Sequence, residues 1–155
     1  MKWLLRLVVA AVVLFVVIQL VPYGRTHHNP PIVSEPAYTS TRGAQLVRTA
    51  CYDCHSNQTR YPWYTSVAPI SWWSQNHVDE GRQKLNFTDW ANSRRPEDLV
   101  ETVQNGSMPP NYYRLMHADA RLSSADKQAL IEELRAIAGT GGGTGGERRS
   151  GGGDD

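Results

Sequence analysis

The sequence predicts an all-α fold, one N-terminal transmembrane helix followed by a single small helical domain. Apolar residues recur at helical spacing in three separated stretches, 41–50, 70–85 and 124–138, and an apolar run opens the chain. No βαβ-type strand alternation accompanies them. With 155 residues and weakly packing segments near both ends, about 97 residues, 42–138, remain for a core, which excludes a two-domain enzyme.

The opening run, Leu4 to Val21, is interrupted only by Arg6 and Gln19. Eighteen helical residues reach about 27 Å, close to the hydrocarbon thickness of a bilayer. Residues 1–22 are therefore expected to form a membrane anchor, with a cleaved signal peptide as the alternative. Lys2 before the run and Arg6 near its start place the N-terminus in the cytoplasm and the domain on the exported side. Residues 23–41, with Pro30, Pro31 and Pro36, read as a tether, and His27 and His28 within it as solvated. Residues 139–155 hold nine of the thirteen glycines and read as a disordered tail.

Within the domain, Ser40 or Thr41 caps a helix with Gly43, Leu46, Val47 and Ala50 on one face. A second helix over 70–85 carries Ile70, Trp73, His77, Gly81 and Leu85 on one face, which turns His77 toward the core. A short helix over 97–104 follows Pro96 and ends at Asn105-Gly106. The last helix starts with Ser123-Ser-Ala-Asp126, a capping box with Asp in place of Glu, buries Leu130, Ile131, Leu134, Ile137 and Ala138, and stops at Gly139.

The net charge is +1, and residues 42–138 hold eleven basic and eleven acidic side chains, so no basic surplus is present for nucleic acid. The only cysteines, Cys51 and Cys54, are too close together to staple a fold. Cys51-Tyr-Asp-Cys-His55 has the C-x-x-C-H spacing that attaches haem c. One helical turn presents two sulfurs to two porphyrin vinyl groups, and His55 then turns its imidazole onto the iron. Three readings compete: zinc on Cys51, Cys54 and His55 with His77 available as the fourth ligand, a thioredoxin-like redox pair, and a chance occurrence of the spacing.

A haem held by His55 needs a second axial ligand or an open iron position. Met108 is the first candidate, because Pro109 and Pro110 stiffen the loop that carries it. His77 and His117 are alternatives, and Met116 is a weaker one. Ten aromatic rings between Tyr52 and Tyr113 suit the walls of a flat porphyrin. Arg60, Arg82, Arg94 and Arg95 are within reach as propionate partners, although each alone reads as a surface charge.

The paired terminal helices, Gly43 eight residues before Cys51, and Gly106-Ser-Met-Pro109 resemble the cytochromes c. One feature departs from them: residues 124–138 hold no aromatic opposite Gly43. More narrowly, Cys51-Tyr-Asp-Cys-His-Ser-Asn-Gln-Thr-Arg-Tyr-Pro-Trp-Tyr64, His77-Val-Asp-Glu-Gly-Arg82, Leu85-Asn-Phe-Thr-Asp-Trp90, Met108-Pro-Pro-Asn-Tyr112 and His117-Ala-Asp-Ala-Arg-Leu-Ser123 resemble the small bacterial haem-binding domain family over about residues 40–138.

That resemblance implies one haem c bound covalently through Cys51 and Cys54, with His55 on the iron. The expected function is single-electron transfer in the periplasm by a cytochrome anchored in a bacterial inner membrane, with redox proteins as partners. The expectation is an electron carrier rather than an enzyme, with catalysis left open. The alternative is a haem peroxidase or a gas or redox sensor with an open or labile sixth position.

Overall fold

Ser40 starts the helix that carries the cysteines. Its backbone is extended, and its Oγ accepts the Gly43 N–H at 2.9 Å, giving α2 over Thr41–His55. The computed structural model describes residues 1–94 and 96–139. The other helices are α1 (Lys2–Ile18), α3 (Ile70–Lys84), α4 (Leu99–Gln104), α5 (Asn111–Met116) and α6 (Ser124–Gly139). Short 3₁₀ turns occupy Trp63–Ser66 and Ala118–Ala120. No strand occurs among the described residues, and one isolated bridge pairs Ser34 with Asp89. The fold is all-α.

Helix α2 lies between α3 and α6, and α6 also packs on α4. The core between them is built from Val47, Phe87, Leu130, Ile131, Leu134 and Ile137, each at most 2 % exposed. The apolar faces of α2 and α6 bury as their periodicity predicts, except that Ala138 is exposed. The capping box of α6 is present: Ser123 Oγ accepts the Asp126 N–H at 3.1 Å and donates to its carboxylate at 2.7 Å.

Gly43 faces Glu133, where a Cβ would overlap the Glu133 carboxylate. This carboxylate occupies the place where an aromatic was missing. It is 2 % exposed and accepts the Thr39 and Ser40 N–H groups at 2.6 and 3.2 Å and their hydroxyls at 2.9 and 2.8 Å. Helix α6 thereby satisfies backbone donors at the entry to α2.

Several expectations are corrected. The anchor expected over 1–22 is realised as a helix of 17 residues, Lys2–Ile18, and no helix among the described residues is long and apolar enough to cross a membrane. The helix stops where Gln19 turns to the domain: its Nε2 donates to the Ala68 carbonyl at 2.9 Å and its Oε1 accepts the Ala68 N–H at 3.0 Å.

The Pro-rich segment runs along the domain rather than free of it. His27 stacks on Tyr61 with ring centroids 4.3 Å apart, Asn29 Nδ2 donates to the Thr59 carbonyl, and Glu35 accepts a two-pronged bond from Arg48. Polar side chains and backbone bonds from Val33 and Ser34 to Thr88 hold much of this segment, with Pro36 buried and Tyr38 packed on the core, so hydropathy alone did not reveal the docking. The buried stripe of α3 is Ser71, Val78 and Gly81, leaving Ile70 and Trp73 close to half exposed. The glycine-rich tail beyond Gly139 lies outside the described residues.

Candidate functional site

The last turn of α2 places Cys51, Cys54 and His55 where α2 meets α3. The helices touch there because Gly81 has no side chain: a Cβ on it would overlap the Cys54 carbonyl. The same glycine's carbonyl oxygen is 2.9 Å from His55 Nδ1, and the Leu85 carbonyl is 3.1 Å away. Carbonyls only accept, so Nδ1 carries the proton and Nε2 is left as the bare nitrogen. Burial pushes the His55 pKa down, and the two carbonyl bonds, which favour the charged ring, do not offset it. The ring is therefore neutral at neutral pH and able to ligate. These carbonyls come from the end of α3.

Burial, assisted by each thiol's neighbours, pushes Cys51 up to about 12 and Cys54 up to about 11. A thioredoxin-like pair works through an accessible thiolate at neutral pH, which these surroundings oppose. Among the described residues no group of three His, Cys, Asp or Glu side chains is placed to hold a metal ion, so the four-ligand zinc set is not assembled.

A cavity of about 660 Å³ opens beside the motif. Cys51, His55 and Met108 line it, with Phe87, Leu99 and Leu134 among its apolar walls. A second space of about 240 Å³ shares Cys51, His55 and Met108 and adds Cys54, His77 and Tyr112. The two spaces thus gather both cysteines, His55 and Met108. Gly106, at φ +81°, ends α4, and the Met108 N–H then returns to the Thr102 carbonyl at 2.9 Å, which fixes the loop carrying the thioether.

His77 lies at the edge of this group. It is half-buried rather than core-facing; its Nδ1 donates to the Trp73 carbonyl at 2.8 Å and its ring lies against Trp73 and Tyr112. His117 is kept from His55: it stacks on Tyr113 and lines neither space containing His55, although a smaller space of about 170 Å³ has both His117 and Cys54 in its lining. Met116 is 61 % exposed and also lies elsewhere.

Of the arginines, Arg60 is committed to Asp53 and Asp119, and Arg82 to the Ser56 and His28 carbonyls, Asn29 and Thr59. Arg94 lines the larger cavity together with Lys84, and Arg95 lies outside the described residues.

Asp53 inside the motif, Gly81 and Leu85 were not recognised from the sequence as site-building residues. Asp53 is buried and accepts from the Arg60 backbone and guanidinium and from Tyr113 Oη at 2.6 Å, pinning the following loop and α5 to α2. Its position between two cysteines was the only available signal. Phe87 continues the arrangement, because its N–H donates to the His55 carbonyl at 2.8 Å.

A family model described as haem-binding domain matches residues 13–136. The chain belongs to this haem-binding domain family. No curated protein and no solved structure matches it. The family match begins within α1 and includes residues 23–41, the same segment that docks on the haem-binding domain here. The residues present fit a haem: a largely apolar cavity of ligand-site size, a part-buried imidazole with one nitrogen uncommitted, and Lys84 and Arg94 at the lining beside Glu97 and Asp98.

Proposed function

We propose that the protein holds one haem c covalently through Cys51 and Cys54, with His55 and Met108 as the residues that would ligate its iron, and carries single electrons. The observation that carries this reading is the His55 hydrogen bond to Gly81 and Leu85, in a residue that lines the same cavity as Cys51 and Met108. When bound, the haem supplies a reversible one-electron couple. The chain's own residues do the rest. Gly81 and Leu85 hold the imidazole orientation and strengthen its basicity. Phe87, Leu99 and Leu134 exclude water, which limits the cost of reorganisation when charge changes. Arg94 and Lys84 are the cationic side chains that offer themselves to the propionates.

Helix α1 supports membrane attachment within this reading. It buries none of its residues, and its surface from Trp3 to Val17 is apolar apart from Arg6. Such a face calls for lipid or another apolar cover. We infer that α1 attaches the protein to a bacterial inner membrane and that the haem domain works in the periplasm with redox proteins as partners. The Gln19 clamp to Ala68 then keeps the domain beside the bilayer.

The test is the full chain matured with export and haem-ligation machinery. The expected result is a red protein whose haem survives boiling in denaturant and whose intact mass exceeds the polypeptide by one haem. Met108→Ala is expected to lose the six-coordinate low-spin spectrum, whereas His77→Ala and His117→Ala keep it. A colourless product with the mass of the bare chain overturns the proposal. Loss of the spectrum in His77→Ala alone transfers the sixth position to His77, which lines the smaller space beside Met108.

A further inference from the structure

Helix α1 ends against an edge of the domain that carries exposed apolar side chains of its own. The Gln19 clamp ties Ala68 to the end of α1. In the two stretches that meet there, Leu20 and Trp63 are each 80 % exposed and Ile70 is close to half exposed. Beyond Leu20, Trp63 is the most exposed large apolar side chain among the described residues. The turn that displays it is firm: Thr65 donates to the Pro62 carbonyl from its N–H at 2.9 Å and from its hydroxyl at 2.6 Å, and the Val67 N–H donates to the Tyr64 carbonyl at 3.2 Å. An indole has a large apolar body and one N–H donor, which suits it to the boundary between hydrocarbon and water.

Charge points the same way. Residues 1–34 and 54–78, which contain both sides of the clamp, hold no Asp or Glu. Arg25 stands at the clamp itself, its Nη2 donating to Gln19 Oε1 at 2.9 Å. The next acidic residue after Ala68 is Asp79, which accepts from Tyr23 Oη at 3.3 Å and from Gln75 Nε2 at 2.8 Å. Length supplies the physical reason for a wider contact. The 17 residues of α1 reach about 25 Å, less than the roughly 30 Å of a bilayer's hydrocarbon core. A short apolar helix draws its flanks into the interfacial layer, and here the flank is a folded edge held by Gln19.

We propose that the edge carrying Leu20, Trp63 and Ile70 sits in the interfacial layer of the phospholipid bilayer that takes up α1, with Arg25 toward the lipid phosphates. The inference rests on the attachment of α1 proposed above and adds a second point of contact. Two contacts remove the swing that a single helix allows, so one face of the domain is turned to the membrane.

The test uses the full chain in vesicles of phosphatidylethanolamine and phosphatidylglycerol doped with a phospholipid that carries a diazirine on its acyl chain near the glycerol. Light converts the diazirine to a carbene that inserts into groups it touches, and tryptic peptides are then mapped by mass spectrometry. The expected result is labelling within residues 7–25 and between Trp63 and Ile70, with α6, on the other side of α2 from α3, unlabelled. Trp63→Asp combined with Ile70→Asp is expected to lose the second label and keep the first. Labelling of 7–25 without 63–70 overturns this inference and leaves the attachment of α1 standing. No labelling of 7–25 overturns the attachment and this inference with it. Labelling of α6 as strong as that of 63–70 overturns it as well, because a freely swinging domain touches lipid on any face. So does a label at 63–70 that the double substitution leaves undiminished. The unmodified chain decides between these outcomes even if the double variant fails to fold.

Discussion

The carbonyl oxygen of Gly81 lies 2.9 Å from Nδ1 of His55, while the missing Cβ of the same glycine lets α3 rest on the Cys54 carbonyl. One residue therefore sets both the ring orientation of His55 and the spacing between the two helices. Gly81→Ala is expected to push α3 away from backbone that has no freedom to yield, costing about 1–3 kcal/mol. Urea unfolding measures that loss. In protein carrying haem, the same variant is expected to show a lowered reduction potential or mixed spin state as the histidine shifts.

Glu133 joins α6 to the start of α2 through four hydrogen bonds. Glu133→Ala leaves these donors unmatched and is expected to cost about 2–3 kcal/mol, read from the urea midpoint.

The same carboxylate gives a pH signature. Burial raises the Glu133 pKa, but the bonds from Thr39 and Ser40 outweigh it and the net shift is downward. A depressed folded-state value means the stabilisation is complete above the ordinary Glu value of about 4.3 and is lost as pH falls through the lower folded value. Stability of the native chain should therefore decline on acidification below about pH 4.3, and Glu133→Gln should decline less steeply over the same range. Unfolding midpoints at several pH values check this.

Asp53 holds the loop after the motif and α5 through Arg60 and Tyr113. Asp53→Ala is expected to destabilise by about 1–3 kcal/mol, at the moderate end for a buried carboxylate because the Arg60 side chain is 55 % exposed and returns to water. Faster hydrogen exchange across 60–66 and 111–116 would locate the effect; unchanged exchange there would show that the loop is held by other contacts.

Gln19→Ala removes both bonds to Ala68 while leaving the apolar face of α1 intact. Limited proteolysis in detergent should then cut between residues 19 and 27 faster, with little change in the melting temperature of the helical core.

Sequence patterning revealed the parts whose causes are local. The Ser40 cap and the Ser123 capping box were legible because each joins groups only three residues apart. The C-x-x-C-H spacing was legible because one helical turn defines it. The apolar faces of α2 and α6 were legible because burial imposes a helical period. His77 was misjudged because α3 buries the stripe of Ser71, Val78 and Gly81, a choice made by its contact with α2. The docked course of 23–41 was missed because polar bonds to distant residues hold it.

By itself the sequence determined the longer helices, the caps of α2 and α6, the motif and an apolar opening broken only by Arg6 and Gln19, since each follows from neighbours within a turn or two. Tertiary structure decided that Glu133 faces Gly43, that the Gly81 and Leu85 carbonyls accept the His55 Nδ1–H, and that Met108 lines both cavities that hold His55 while His117 lines neither. Those outcomes join residues 26 to 90 positions apart. They depend on how helices cross, and no local preference encodes that.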